Sequence, residues 1–525
     1  MNAKGLGHLK LQQKLTQNLK KQVENHEILT EEIIQYKKDQ VYYHSRGFSP
    51  SNEEELFSTI IDSQIVLMGD IHTFNENIRN VNRIASVLNR NTKGLVLAVE
   101  FVHEKDQIHI DNYLKGVITE LEFLDLINYR ESWRFPWTHY REIFEFARKN
   151  QFAIRGINID GTLRERDLFM AKKVMKISNE NKQKSVLALI GELHITPNKI
   201  PYHIRVNQPH LKLTIIHQNI DEIYFHSQAH QFFKFNKYEY CLNTSPPWLK
   251  YESMLYWFEN LMDDPDFDIH SYILETGLKI SGPDIKETFV FLIKEILNGL
   301  SIQASDEKIY DFNIYDHNNI PFINEKLKKA KNKELKKFYK KLILKNEVFK
   351  LFGENSYYLP SYSPNRLVYL AGIQIQSIHI GKQKFKDYES HSKFLLYQTF
   401  KYAHSYYISK IINPYRKCDL YLDVRRKKYK KKVSLLFFEM VDSPKPPKKI
   451  LDEMKLIDIF YCSKMIGYFL GEYLFEALKG KNQKQIYDTL SLYFYQKSFT
   501  QKKFLQLRDF VLSNVDYQNQ GKRFF

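Results

Sequence analysis

Cysteine is nearly absent from this chain. Its 525 residues include three, Cys241, Cys418 and Cys462, too widely spaced to frame a disulfide scaffold or a zinc knuckle. They fit a reducing interior. Long apolar runs are missing as well. No stretch reaches the ~18 uncharged apolar residues that a membrane helix needs. The nearest, Leu456–Leu478, is interrupted by Asp458, Lys464, Glu472 and Glu476. Such charges are costly in lipid, so the Gly-x-x-x-Gly spacing of Gly467 and Gly471 reads as close packing between soluble helices. Met1–Lys21 is basic and polar, with no apolar signal-peptide core and no cysteine to carry a lipid. The expected location is therefore the cytoplasm or a membrane periphery. The phosphate loop Gly-x-x-x-x-Gly-Lys is absent, which excludes nucleotide hydrolysis through it. The Gly-x-Ser-x-Gly nucleophile elbow is absent too.

The chain does have apolar mass, at 43% hydrophobic residues, and a net charge of +17 that is unevenly spread. Residues 1–230 hold 30 basic and 28 acidic side chains; the remaining 48 and 33 leave +15 in residues 231–525. The excess includes the lysines of Lys326–Lys350 and the run Arg425–Lys432, seven basic residues in eight. Such runs attract phosphates or anionic lipids. No nucleic-acid-binding motif accompanies them, so nucleic acid is not the expected partner. An anionic membrane surface, a protein partner or a second copy of the chain remain open for this half, beside a plain solvated surface.

Residues 8–40 pattern as a polar helix with the apolar stripe Leu9, Leu11, Leu15, Leu19, Val23, Ile28, Ile33 and Ile34, an N-terminal extension (1–40) that either packs on the next domain or, its first acidic residue being Glu24, lies on a membrane surface. Across residues 41–230, strand-like runs (Ile65–Met68, Leu95–Val99, Ala153–Ile159, Val186–Ile190, Leu211–His217) alternate with helical patterns (Ile78–Leu88, Gln107–Leu114, Thr119–Ile127, Tyr140–Lys149, Leu168–Ile177). Alternation of this kind means βαβ units. Residues 231–525 read as a basic, mainly helical domain, with a split near 310–325 open. Its helices are expected at Glu252–Leu261, Ile285–Leu300, Asn324–Phe352, Ser392–Ile412, Leu451–Lys479 and Gln485–Val515, with strand-like pieces at Arg366–Leu370 and Val433–Phe438 and a stiff break at Ser443–Pro447. The fold class is α/β: a mainly parallel sheet flanked by helices, plus a large mainly helical C-terminal region.

One short pattern occurs twice. Gly69-Asp70-Ile71-His72 follows Ile65–Met68, and Gly191-Glu192-Leu193-His194 follows Val186–Ile190, 122 residues later. Between them Leu95–Val99 ends in Glu100. Continuous apolar runs are strands buried on both faces of a parallel sheet, and such sheets place ligand sites beyond their carboxyl ends. His72, Glu100 and His194 are therefore the candidate site. Imidazole and carboxylate can ligate a divalent metal, or act as acid and base without one. Asp70 and Glu192 either join them or orient the imidazoles; the bland alternative is that all these groups cap strands and helices. Arg164, Arg166 and Asp167 follow the strand Ala153–Ile159 at the same edge, where they either meet an anionic ligand or start a solvated helix. Trp133-Arg134-Phe135-Pro136-Trp137 either lines a pocket or packs a loop onto the core, and Pro136 argues against a helix through it.

Residues ~60–217 resemble the ChaN-like haem-binding proteins, in the superfamily that also holds Tiki, TraB and erythromycin-esterase-like proteins. The resemblance lies in Ile65–His72, Leu95–Glu100, Gln107–Gly116, Trp133 and Trp137 with Tyr140 and Phe146–Arg148, and Gly191–His194 followed by Ile200-Pro201 and Arg205. It implies a bacterial protein with haem as cofactor, linked to iron uptake, with His72, Glu100 and His194 as the site residues; Arg166, by its place at the same sheet edge, is the residue to meet an anionic substrate or a haem propionate. Tiki-like and esterase-like relatives imply the alternative. That is a hydrolase in which the same trio holds a divalent metal or works directly as base and orienting acid, so whether the chain is an enzyme stays open. The chain departs from the haem-uptake pattern in having no lipid-carrying signal and ~300 further residues.

Overall fold

The computed structural model describes residues 6–26, 29–226, 230–262, 285–316, 319–329, 333–351, 353–360, 363–381, 390–427, 429–443 and 448–525. Two compact units emerge, one of residues 15–282 with 524–525, the other of residues 1–14 with 283–523.

The first unit is built on an eight-stranded sheet: β1 (Ser49–Pro50), β2 (Ile65–Asp70), β3 (Leu95–His103), β4 (Ala153–Asn158), β5 (Ser185–Gly191), β6 (Leu213–Gln218), β7 (Phe232–Asn236) and β8 (Glu239–Leu242). Their order is β1-β7-β8-β6-β2-β5-β3-β4. The pairs from β8 through β4 are parallel, while β7 pairs antiparallel with β8 and with β1. The apolar runs read from sequence are continuous because each strand feeds two cores. Val66 and Met68 of β2, Leu97 and Val99 of β3, and Leu187 and Leu189 of β5 join one, under the helices Asn75–Asn91 and Trp137–Asn150. Ile65 and Leu67, Val96 and Ala98, and Val186 and Ala188 join the other, under Leu163–Glu180 and Ile200–Asn207. In these three runs strict alternation between two apolar faces leaves no polar position.

The N-terminal stripe belongs to two helices rather than one, Leu6–His26 and Glu31–His44. Thr30 caps the second by accepting from the Ile33 N–H, which restarts the helix in place of continuing it; Ile28 lies outside the described residues.

The second unit is mainly helical, with a small sheet of Asn313–Tyr315, Phe349–Lys350 and Ser356–Tyr358 that the sequence pattern did not announce. Its central helix, His391–Ile412, is buried at every position from Phe394 onward. Gly467 and Gly471 of the helix Leu456–Leu478 face it closely. A Cβ on Gly467 would stand 2.8 Å from the Thr399 carbonyl oxygen, and one on Gly471 2.7 Å from that of Ala403. The Gly-x-x-x-Gly spacing is thus a helix–helix contact. Among the described residues no helix is long and apolar enough to cross a membrane.

Two strand expectations are overturned. Arg366–Leu370 lies inside the helix Pro364–Ile380, which Pro364 opens at a first-turn position and which is buried without a break from Leu367 to Ser377. A helix buried all round shows no polar face, so a short window of it looks like a buried strand. Val433–Phe438 lies in the helix Lys431–Asp442, whose buried residues Val433, Leu436, Phe437, Met440 and Val441 keep helical spacing over a window longer than the run first read. Asn324–Phe352 divides into the helices Ile320–Lys329 and Lys333–Leu344 before the strand at Phe349. Gln485–Val515 likewise divides into Gln483–Tyr493 and Gln501–Leu512. Pro444–Pro447 of the expected break and Lys428 of the basic run lie outside the described residues.

Candidate functional site

The strands carrying the repeated motif are neighbours, and β3 lies on the other side of β5. Gly69 pairs with Ile190 and Asp70 with Gly191, so the two motifs leave the sheet side by side. Glu100 sits within β3, where its register against β4 shifts beyond Val99. His72 follows β2 by two residues, and His194 rides the single 3-10 turn Glu192–Ile195 after β5.

His72 and Glu100 meet at Gly191, and His194 joins them through Glu100. One Glu100 oxygen accepts from the Gly191 N–H at 2.5 Å. The other accepts from Arg166 and lies 3.5 Å from His194 Nε2. A Cβ on Gly191 would stand 3.2 Å from His72 Nε2 and 3.3 Å from Glu100 Oε2. A side chain there would press on both His72 and Glu100, which the glycine lets face each other closely.

Each imidazole is held from behind by an aspartate, and each aspartate by a tyrosine. His72 Nδ1 is 2.9 Å from Asp70 Oδ2, which also accepts from the Tyr140 hydroxyl at 2.9 Å. His194 Nδ1 is 2.5 Å from Asp167 Oδ1, and Asp167 Oδ2 accepts from the Tyr36 hydroxyl at 2.6 Å. Fixing Nδ1 in this way aims Nε2 into the site. Burial disfavours charge on His72, but the hydrogen bond and field of Asp70, with Glu100 behind, outweigh it and raise its pKa. Burial works against the Glu100 carboxylate too, yet His194, Arg166 and His72 together hold its pKa below the ordinary value. Burial, then Asp70, pushes the Tyr140 hydroxyl well up, keeping it a donor.

His72 is the accessible member: its side chain is 22% exposed, against 6% for His194 and 3% for Glu100. Its ring lies 4.6 Å from that of Trp133 and 4.7 Å from that of Phe135, and Phe135 stacks on Trp257 at 4.8 Å. The Trp-rich segment thus divides. Trp133 and Phe135 flank the site, Trp137 is buried in the core, and a helix starts only after Pro136. Arg166 is committed to Glu100 and, through Nε, to Asn158 Oδ1 at 2.9 Å. Arg164 has an exposed side chain.

Glu192 turns away from the trio into a second buried cluster that sequence reasoning did not find. Its Oε1 is 2.6 Å from His217 Nδ1 and 3.6 Å from His44 Nε2. His217 Nε2 is 3.2 Å from Glu239 Oε1, and Glu239 also accepts from Arg46 and, at 2.9 Å, from Asn236 Nδ2. Burial opposes a charged His217, but Glu192 and Glu239 push its pKa up to about 9. Burial, with the charge of His217 adding to it, lowers the pKa of His44 despite the pull of Glu192. A histidine ending the apolar run Leu213–Ile216 was the one local signal. His44 and Tyr36, on the helix Glu31–His44, carry none.

Residues 56–166 match the family described as haem-binding uptake, Tiki superfamily, ChaN. That segment contains His72, Glu100 and Arg166 and ends before Asp167 and His194. Similar solved structures include ChaN of Campylobacter jejuni, described by its cofacial haem binding, at 16% identity over 37% of this chain and 91% of that one, with a TM-score of 0.27. The type III effector HopBA1 is similar at 12% identity over 38% of this chain and 97% of that one, with a TM-score of 0.28. No curated protein matches.

Proposed function

We propose that this chain, ChaN-like over residues 56–166, binds haem at the strand-end site centred on His72. The observation that carries the proposal is the state of that imidazole: Nδ1 is held by Asp70, and the ring is partly open to solvent between two aromatic rings. A histidine oriented by a carboxylate behind it is the arrangement that presents Nε2 to a metal, and imidazole is an ordinary axial ligand of haem iron. Trp133 and Phe135, the latter backed by Trp257, offer apolar faces to a flat macrocycle. Bound haem would supply a redox-active iron centre. The protein's own part is to fix His72, exclude water with the aromatic wall, and keep Glu100 charged. Arg166 would meet a propionate only by leaving Glu100, so its part in this reading is to hold that carboxylate. Such binding suits a protein that stores or passes on haem iron.

Titration of the full chain with haem, followed by Soret absorbance, tests the proposal. The expected result is a saturable spectrum that His72→Ala abolishes or shifts while far-UV circular dichroism is unchanged. No saturable spectrum, or one indifferent to His72→Ala, overturns it.

A second reading, a hydrolase working directly through His and Glu, is favoured by one observation. Two Tyr–Asp–His sets flank a single buried carboxylate, the makings of a base and an acid. Ester hydrolysis lost in Glu100→Gln, by a protein that binds no haem, would select it.

A further inference from the structure

We propose that His44, Glu192 and His217 form a binding site for a divalent transition-metal ion, of the zinc class, separate from the strand-end trio. The donor set is two imidazoles and a carboxylate, which suits zinc and its neighbours. The three ligand atoms lie within 4.8 Å of one another. Two buried polar atoms there lack a hydrogen-bond partner, His44 Nε2 and Glu192 Oε2. His44 and Glu192 are 6% and 8% exposed. Burying such atoms unpaired is costly, and a cation shared between them answers both.

The surroundings are organised for that ion. The ring nitrogen of His217 facing away from Glu192 meets Glu239, which Arg46 and Asn236 hold in turn. A carboxylate on the far nitrogen of a histidine is the usual support behind a metal ligand; it sets the tautomer in which Nδ1, here hydrogen-bonded to Glu192, is the ligand nitrogen. Space is made as well: a Cβ on Gly69 would stand 1.6 Å from Glu192 Oε2, so the glycine of the first motif admits the acid of the second. Three protein ligands leave a coordination position for water or a ligand. Binding releases the proton shared by His217 and Glu192, and the two ligand atoms move apart from their hydrogen-bonded 2.6 Å to take the ion.

The test uses chelator-stripped full chain titrated with Co2+, read by visible ligand-field absorption and by metal analysis after desalting, with Zn2+ as competitor. One Co2+ per chain is expected, displaced by Zn2+ and retained in His72→Ala. Affinity should fall about tenfold or more in His44→Gln and Glu192→Gln. If Glu192→Gln does not fold, His44→Gln, at the end of its helix, decides. Absence of a saturable spectrum in the wild type, unchanged affinity in a folded His44→Gln, or loss of Co2+ in His72→Ala would each overturn the assignment. The haem titration is a separate experiment, so either site can fail without the other.

Discussion

Tyr140 and Tyr36 hold matching places on the two histidine motifs. Each donates its hydroxyl to the aspartate that holds the motif's imidazole, Tyr140 to Asp70 and Tyr36 to Asp167. Tyr140 comes from a helix of the βαβ units, and Tyr36 from the helix that precedes the sheet. The same small network is thus assembled twice from unrelated stretches of chain, with Glu100 reached from both sides through His72 and His194.

Tyr140→Phe should measure how much that network contributes to stability. Asp70 Oδ1 is buried without a partner, so Asp70 depends on Oδ2 and the groups that donate to it. Removing the hydroxyl leaves a buried carboxylate short of a donor, at a cost of roughly 1–3 kcal/mol. Urea unfolding should show a lower midpoint with an unchanged slope. A midpoint equal to the wild type would mean that water or His72 alone satisfies Asp70.

Asp70→Asn should lower the pKa of His72. Burial alone acts to lower it; the hydrogen bond and charge of Asp70 reverse that sign. Asparagine keeps the shape and removes the charge, so the balance tips back towards the neutral ring. NMR titration of the His72 ring protons should show the midpoint moving to lower pH, and no movement would deny Asp70 its role.

Gly69→Ala should destabilise the first unit through Glu192. The added methyl carbon cannot coexist with Glu192 Oε2 at 1.6 Å, so the carboxylate must swing away from His217. Breaking a buried ion pair in this way costs on the order of 3 kcal/mol. The double variant Gly69→Ala/Glu192→Ala should lose less than the sum of the two single changes, because the clash is gone. Simple additivity in thermal or urea unfolding would refute the mechanism.

These contacts also mark how far the sequence could be read. The ends of β2 and β5 were legible because each apolar run stops at its Gly-acid pair, Gly69-Asp70 and Gly191-Glu192; Glu100 was legible as the first polar residue after Leu95–Val99, but β3 runs on past it to His103, with Phe101 and Val102 buried. That β5 lies between β2 and β3, putting His72, Glu100 and His194 at one place, is a matter of strand order, which local pattern does not encode. Asp167 was visible only as a neighbour of Arg166. Tyr36, His44 and His217 were not legible as site residues, since one lone polar residue on a buried face has no periodic signature. In the helical unit the error ran the other way: Pro364–Ile380 is so evenly buried that its period vanished.

Lys401 offers a test of the second unit through pH. It lies in the central helix, 5% exposed, with its ammonium 4.7 Å from the centre of the Tyr402 ring. Burial, with the charge of Lys350 adding to it, lowers its pKa to about 7. In the unfolded chain the same lysine titrates near its ordinary ~10.4. Between those values the unfolded chain holds a proton that the folded chain does not, so raising the pH favours folding. The burden on stability is full below about pH 7, shrinks as pH rises, and is gone once pH exceeds the unfolded value. Its size at neutral pH is on the order of 4 kcal/mol. Lys401→Met, close in length and uncharged, should therefore be more stable than the wild type at pH 7. The gap between their unfolding midpoints should narrow steadily towards pH 10. A gap that stays constant across that range would mean that the Lys401 ammonium is solvated in the folded protein and titrates as it does in the unfolded chain.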